Sequence, residues 1–249
     1  MDEKDATRLD DLQYKGLFLY QRRDLPCFSQ DSVLLSHFAD TRHGERAVDI
    51  GAGTGVIAVL NGARTGAQFT CIERNAALCA LLKKSIAHNG LRDISVCEMD
   101  WRDAPDVLGH ARFGAALCNP PYFNDSSPSP DAARALARSG EGAMQGAVSS
   151  AAALLKEGGR LYLSCPVMRL ADAICALRAN RLEPKRLQLI ANKPRQAPHL
   201  ALIKARKGGK PALILAPVLC LTDETGQPSA EYNAIYHIPN DKSDEEETL

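Results

Sequence analysis

A chain of 249 residues, 45% apolar and 24% charged, carries ample material for a core and fits one α/β domain with short extensions. The first residues, Met1-Asp2-Glu3-Lys4-Asp5, lack the basic-then-apolar layout of a signal peptide, and no apolar run nears the ~18–20 residues that span a bilayer. Both points exclude a membrane role, so a soluble, cytoplasmic protein is expected. Thirty basic and thirty acidic residues cancel unevenly: residues 181–210 hold nine Lys or Arg against Glu183 alone, and the last nine residues hold five acids against one Lys. Eight cysteines (27, 71, 79, 97, 118, 165, 175 and 220) show no zinc-knuckle spacing. Free thiols, mostly buried in apolar runs, and no metal are expected.

In chain order, residues 17–21 read as a small strand, and 32–39 as a helix capped by Ser29 or Asp31. From residue 44 apolar runs and helical patterns alternate. Strands are expected at 47–50, 69–73, 94–98, 115–118 and 161–163. Helices are expected near 56–63, 76–88, 147–155 and 168–180, the second stopped by Asn89-Gly90 and the third by Gly158-Gly159. Residues 123–146, rich in Ser, Pro, Asp and Gly, read as a long loop with a short helix near 132–138. Strands at 187–190 and 200–205 have no helix between them, which predicts an antiparallel hairpin at the sheet edge. The alternation predicts a Rossmann-like, doubly wound, mainly parallel sheet. The expected domains are an N-terminal extension over 1–42 packed on the core, a main domain over 43–240 and a disordered acidic tail over 241–249.

The strand ends carry the chemistry. The first core strand closes in Asp49-Ile50-Gly51-Ala52-Gly53-Thr54-Gly55, a glycine loop before a helix. Glycines there let a ligand approach the backbone, and in an open α/β sheet ligands lie at the carboxyl ends of the strands. The third glycine follows the second by two residues instead of three, and Asp49 would repel a pyrophosphate but attract an ammonium. A ligand with an amino acid end, an adenosine and no phosphate fits: S-adenosylmethionine. Glu73 is placed to accept from two ribose hydroxyls, Asp100 to bond the adenine amine, and Trp101 to cover the ring. Asp49 can also serve the loop's own N–H groups, and Trp101 fits a core role equally.

The fourth core strand ends in Asn119-Pro120-Pro121-Tyr122. The Asn119 side-chain oxygen and the Pro120 carbonyl can each accept from one planar NH2 group while Tyr122 stacks on its ring. Phe28 can close the pocket. As a lone motif it is a Pro-rich turn; with the glycine loop, Glu73 and Asp100 it forms a constellation at four successive strand ends.

Together these motifs resemble the class I S-adenosylmethionine-dependent methyltransferases with the Asn-Pro-Pro-Tyr signature, and within them the bacterial tRNA(Val) adenine-37 N6-methyltransferase family. The resemblance includes Gly16-Leu17-Phe18-Leu19-Tyr20-Gln21, Phe28-Ser29-Gln30-Asp31-Ser32-Val33-Leu34-Leu35 and Lys207-Gly208-Gly209-Lys210-Pro211. It implies catalysis by Asn119, Pro120 and Tyr122, and a cofactor held by Asp31, Asp49, Gly51, Gly53, Gly55, Glu73, Asp100, Trp101 and Asn119. It further implies RNA, most often tRNA, against Phe28, Pro121, Tyr122 and Arg138. The family's Ala-Arg-His-Glu is here Ala137-Arg138-Ser139-Gly140-Glu141. Arg186, Lys193, Arg195, Lys207 and Lys210 are expected along RNA phosphates, the plain alternative being a solvated edge strand guarded by cations. The competing functions are an N5-glutamine methyltransferase acting on a release factor, for which the N-terminal segment is short, an rRNA guanine-N2 methyltransferase, and a non-catalytic RNA adaptor. A monomer is favoured.

Overall fold

The computed structural model describes residues 7–120 and 130–236, for residues 130–141 the backbone alone. Pro121, Tyr122 and the acidic tail lie outside the described residues.

The chain opens with β1 (Thr7–Asp11) and β2 (Phe18–Arg22), an antiparallel pair that forms its own two-stranded sheet. Helix α3 (Ala76–His88) and its C-cap Asn89 close the free edge of β2 with side chains. Asn89 accepts from the Phe18 N–H at 2.9 Å and donates to the Phe18 carbonyl at 2.7 Å, and the Ser85 hydroxyl accepts from the Tyr20 N–H at 2.9 Å. Edge groups satisfied in this way no longer template another strand. Leu17 and Leu19 point into the main core, and buried Gln21 accepts from the Phe28 N–H, fixing the segment that leads to α1 (Gln30–Phe38). Ser29 holds the N-cap position of α1 without a side-chain cap bond, and Asp31 sits in the first turn, so neither caps as expected.

There follow β3 (Arg46–Ile50), α2 (Val56–Thr65), β4 (Gln68–Glu73), α3 (Ala76–His88), β5 (Ile94–Glu98), α4 (Ala104–Leu108), β6 (Phe113–Cys118), α5 (Pro130–Leu154), β7 (Leu155–Pro166) and α6 (Leu170–Ala179). The hairpin β8 (Leu182–Ala191) and β9 (Leu200–Lys207), the two-residue strands β10 (Ile214–Leu215) and β11 (Leu219–Cys220), and α7 (Ala230–Tyr236) complete the order. The large sheet runs β10-β8-β9-β7-β6-β3-β4-β5, with β11 also on β8. Strands β3 to β7 are parallel, and β9 is antiparallel to both neighbours. This is the expected doubly wound sheet. The hairpin stands one step in from the edge, because β10 and β11 pair with the outer side of β8.

Alternation along the strands splits the core in two. Ala47, Phe69, Ala115, Leu117 and Tyr162 face α1 and α2, while Val48, Ile72, Ala116, Leu161 and Leu163 face α5 and α6. Helix α5 extends well beyond the 147–155 expected, beginning at Pro130 inside the segment read as a loop. Gly158 and Gly159 lie within β7, where the pairing with β6 shifts register.

Gly55 is the N-cap of α2 at φ 87°, and a Cβ there would meet Leu82 Cδ1 at 2.2 Å. Both the left-handed backbone and the contact exclude a side chain. Gly55→Ala is expected to cost about 2–3 kcal/mol and lower Tm by roughly 5–10 °C in a calorimetric scan; an unchanged Tm would refute the packing role.

Candidate functional site

Strand order reverses at β3, which pairs with β4 on one side and β6 on the other. Connections therefore leave in opposite directions, and a crevice opens at the carboxyl ends between β3 and β6. Ile50 pairs with Cys118, so Gly51 and Asn119 emerge on neighbouring strands, about 4.8 Å apart by strand spacing. A cleft of about 680 Å³ lies over this point. Of the expected residues it is lined by Phe28, Asp31, Gly51, Gly53, Glu73, Trp101, Asn119 and Pro120.

The loop is braced from below. Glu73 Oε2 accepts from the Gly53 N–H at 2.9 Å and Oε1 from the Asn75 N–H at 2.8 Å, and each oxygen keeps acceptor capacity toward the cleft. A Cβ on Gly51 would touch the Trp101 ring at 3.7 Å, whereas Gly53 has nothing within 4 Å. Trp101 thus forms a wall beside the loop while also packing on the core.

Asp49 does not line the cleft. It is fully buried under the loop, and neither carboxylate oxygen makes a hydrogen bond of ordinary geometry, although the Ala58 backbone N–H is near enough to act on its charge. Burial pushes its carboxyl up to about 7, the nearby Glu73 charge adding to the shift and the Ala58 backbone N–H opposing it. The Thr54 hydroxyl is likewise buried without a partner. Buried acceptors left unsatisfied, with a second carboxylate beside them, suit a cationic ligand over the loop and disfavour a phosphate. This set of acceptors and negative charges therefore fits a sulfonium with an ammonium end. Burial also raises the Asp31 carboxyl above its usual range, with His199 pulling the other way.

Two expected ligands, Gly55 and Asp100, are not on the lining of the cleft. Gly55 packs on Leu82 and is not on the cleft wall. Asp100 is engaged by Arg102, which donates Nε–H and Nη2–H to its two oxygens at 2.9 Å each, and this pairing holds its carboxyl below the usual range.

Asn119 is held on both sides. Its Nδ2 donates to Ser32 Oγ at 2.8 Å, and its Oδ1 accepts from Ser164 Oγ at 2.5 Å. Neither serine was singled out in the sequence for a role. Of the cysteines, Cys71, Cys79, Cys118 and Cys165 are buried, whereas Cys27, on the cleft rim, and Cys175 are exposed.

The basic segment divides. Pro166 pairs with Leu200 and Arg160 with Arg206, so β9 begins at the cleft end and finishes at the opposite end. Lys193 and Arg195, in the turn between β8 and β9, stand at the cleft end. Arg195 is 89% exposed beside Glu224 at 3.6 Å. Lys207 and Lys210 lie at the far end, about 23 Å away over seven residues of strand. Lys207 Nζ donates to the Ala152 and Leu155 carbonyls at 2.5 and 2.8 Å, closing the C-terminus of α5, so its position speaks for a structural role. Arg186 lies over the Phe38 ring at 5.0 Å. Arg138 falls in the part of α5 whose side chains are outside the described residues.

Among the described residues no group of three His, Cys, Asp or Glu side chains could hold a metal ion, and no helix is long and apolar enough to cross a membrane.

A family model described as methyltransferase small domain matches residues 15–168. A protein named tRNA1(Val) (adenine(37)-N6)-methyltransferase in Tolumonas auensis is 29% identical over 232 residues, covering 89% of this chain and 93% of its own. One of the same name in Parabacteroides distasonis is 28% identical over 195 residues, covering 77% and 81%. Among solved structures, a protein described as a predicted O-methyltransferase from Agrobacterium tumefaciens has TM-score 0.70 at 22% identity, covering 84% of this chain and 96% of its own. The TYW2 protein of P. horikoshii, solved in complex with MeSAdo, has TM-score 0.58 at 17% identity, covering 82% and 73%. At these identities the structural likenesses are of fold alone.

Proposed function

The chain belongs to the methyltransferase small domain family and is an S-adenosylmethionine-dependent methyltransferase, and from that premise we propose that its acceptor is the N6 amine of an adenine in RNA, most specifically in tRNA(Val) beside the anticodon. The observation that carries this reading is Asn119, fixed at the end of β6 next to the glycine loop of β3. Support for the RNA comes from the names of the Tolumonas and Parabacteroides relatives.

Bound S-adenosylmethionine supplies an activated methyl group on a sulfonium. Gly51 and Gly53 would admit it close to the backbone, Glu73 would accept from its ribose hydroxyls and Trp101 would cover its adenine, with Asp31 on the cleft wall. Asp49 acts from beneath the loop through its charge, with no contact required. An exocyclic adenine nitrogen is a poor nucleophile, because its lone pair is delocalised into the ring. Asn119 Oδ1 and the Pro120 carbonyl, each accepting one N–H, turn the amine so that this lone pair localises toward the methyl group. Phe28 on the rim, with Pro121 and Tyr122, is proposed to receive the extruded base. Once methylated, the nitrogen loses its extra proton to water, so no strong base is needed.

Lys193 and Arg195, at the cleft end, are the proposed phosphate contacts. Raising salt from 50 to 200 mM should weaken RNA binding by about tenfold or more in a filter-binding assay. The double variant Lys193→Ala/Arg195→Ala should flatten that salt slope by about one to two units, and Lys210→Ala should leave it unchanged. The reverse pattern would move the RNA path to the far end of the sheet. The function itself is tested by nucleoside mass spectrometry of tRNA from a deletion strain. Loss of N6-methyladenosine from one tRNA supports it, and unchanged tRNA refutes it.

A further inference from the structure

Asn119 is the residue on which transfer is proposed to depend, yet a free asparagine amide rotates about χ2 and can present either its oxygen or its NH2 to the cleft. An NH2 group turned toward an adenine amine would set donor against donor. Something must hold the oxygen in place, and the fold supplies it from two separate elements.

The first is β7. Cys118 pairs with Leu163, so the next residues, Asn119 and Ser164, stand side by side one rung beyond. Both follow the alternation of Leu117 and Tyr162 and face the α1 side of the sheet. Ser164 is fully buried, and its hydroxyl donates to Asn119 Oδ1 at 2.5 Å. The second element is α1, whose first turn lies over the same spot. Ser32, 7% exposed, accepts from Asn119 Nδ2 at 2.8 Å and stands 3.4 Å from the Ser29 hydroxyl. Bonds to two separate elements hold the amide plane against rotation about χ2, and with Ser164 as donor and Ser32 as acceptor the oxygen lies on the β7 side. The carbonyl oxygen has two lone pairs, so with one taken by Ser164 the other remains for an amine.

We propose that Ser32 and Ser164 are positioning residues that lock the Asn119 amide with its oxygen available to the acceptor amine, which makes α1, from the N-terminal segment, part of the catalytic apparatus. The inference rests on the reading of Asn119 given above. Ser164 is not on the cleft lining and Ser32 is, so Ser164→Ala isolates the transfer step, whereas Ser32→Ala also alters the wall of the cleft.

The test uses the full chain with Ser164→Ala, Ser32→Ala, Asn119→Ala and the double variant Ser164→Ala/Asn119→Ala. Single-turnover transfer to tRNA at saturating cofactor should slow about tenfold in each serine variant, with cofactor Kd and RNA KM unchanged in Ser164→Ala. In the Asn119→Ala background the second change should slow transfer no further, because groups acting through one residue are not additive. Ser32→Thr, which keeps the hydroxyl, should restore most of the rate. Full activity in both serine variants, or independent losses that multiply with Asn119→Ala, would overturn the proposal. A second readout does not depend on the substrate. The Asn119 side-chain NH2 should give one sharp, dispersed pair of NMR resonances in the wild type and broaden in either serine variant; resonances that do not change would overturn the lock. A wild type that is inactive on adenine would sink the Asn119 reading, and the amide resonances would still decide whether the serines hold the side chain.

Discussion

Replacing Asn119 with alanine should lower the rate of methyl transfer by about 10²- to 10³-fold while leaving cofactor affinity within about twofold, the loss typical of removing one preorganised electrostatic group from a reacting centre. The side chain stands at the end of β6 with its amide bound on both sides, so truncation leaves the Ser164 hydroxyl without this acceptor and the amine without an orienting oxygen. Cofactor contacts proposed for Gly51, Gly53 and Glu73 come from β3 and β4 and are untouched. Single-turnover kinetics with a parallel calorimetric titration separates the two quantities. A variant that loses cofactor affinity in proportion to rate would move Asn119 from the acceptor side of the site to the donor side.

The second large effect concerns Asp49. Its carboxyl is pushed up to about 7 in the folded chain from an ordinary value near 3.8, so between these values the native state binds more protons than the unfolded one. Stability of the ligand-free protein should therefore fall as pH rises from about 4 to about 7, by up to roughly 4 kcal/mol from this group alone, and level off above. Asp49→Asn removes the charge and should flatten that fall, giving a ligand-free protein more stable than wild type at pH 8. A cationic ligand reverses the balance. Binding over the loop favours the ionised form, so affinity for S-adenosylmethionine should rise with pH through about 7 and release a proton below it. In Asp49→Asn at pH 8 the affinity should drop about tenfold or more, since one unpaired buried charge no longer faces the cation. Titrations at pH 6 and 8 with denaturant melts of both proteins measure this; equal affinities in wild type and variant would remove Asp49 from cofactor binding.

Much of the fold was legible because its signals are local. Helix α3 was bounded correctly at Ala76 and His88, since an Ala- and Leu-rich repeat ends in Asn89-Gly90, and β5 was bounded correctly by its short apolar run. Strand β1 escaped notice because Thr7–Asp11 is charged, mostly exposed and paired only with β2, so its sequence carries no apolar alternation. The start of α5 was hidden by Gly140, Gly142 and Gly146, residues of poor helix propensity inside a continuous helix.

At the site, motifs with their own chemistry were readable and partnerships were not. Asp49, Glu73 and Asn119 announced themselves by residue type at strand ends. Ser164 closes an apolar strand as its one small polar residue, a faint signal, and its partner follows only from the register of β6 on β7. Asp100 was readable as a carboxylate at a strand end, but its pairing with Arg102, two residues on, was not. The basic segment was continuous in sequence, but a hairpin carries the chain from one end of the sheet to the other, and Lys193 and Lys207 finish at opposite ends. Charge counted along a chain does not give a surface.

The central claim is that this cleft transfers a methyl group to the N6 amine of adenine in RNA. Its most direct test is to incubate the purified chain with methyl-labelled S-adenosylmethionine and unmodified tRNA(Val), digest the RNA to nucleosides and locate the label by mass spectrometry. The account predicts label in N6-methyladenosine from one site, lost in Asn119→Ala. Label in guanosine, or transfer to a glutamine side chain of a release factor with none to the RNA, would contradict it.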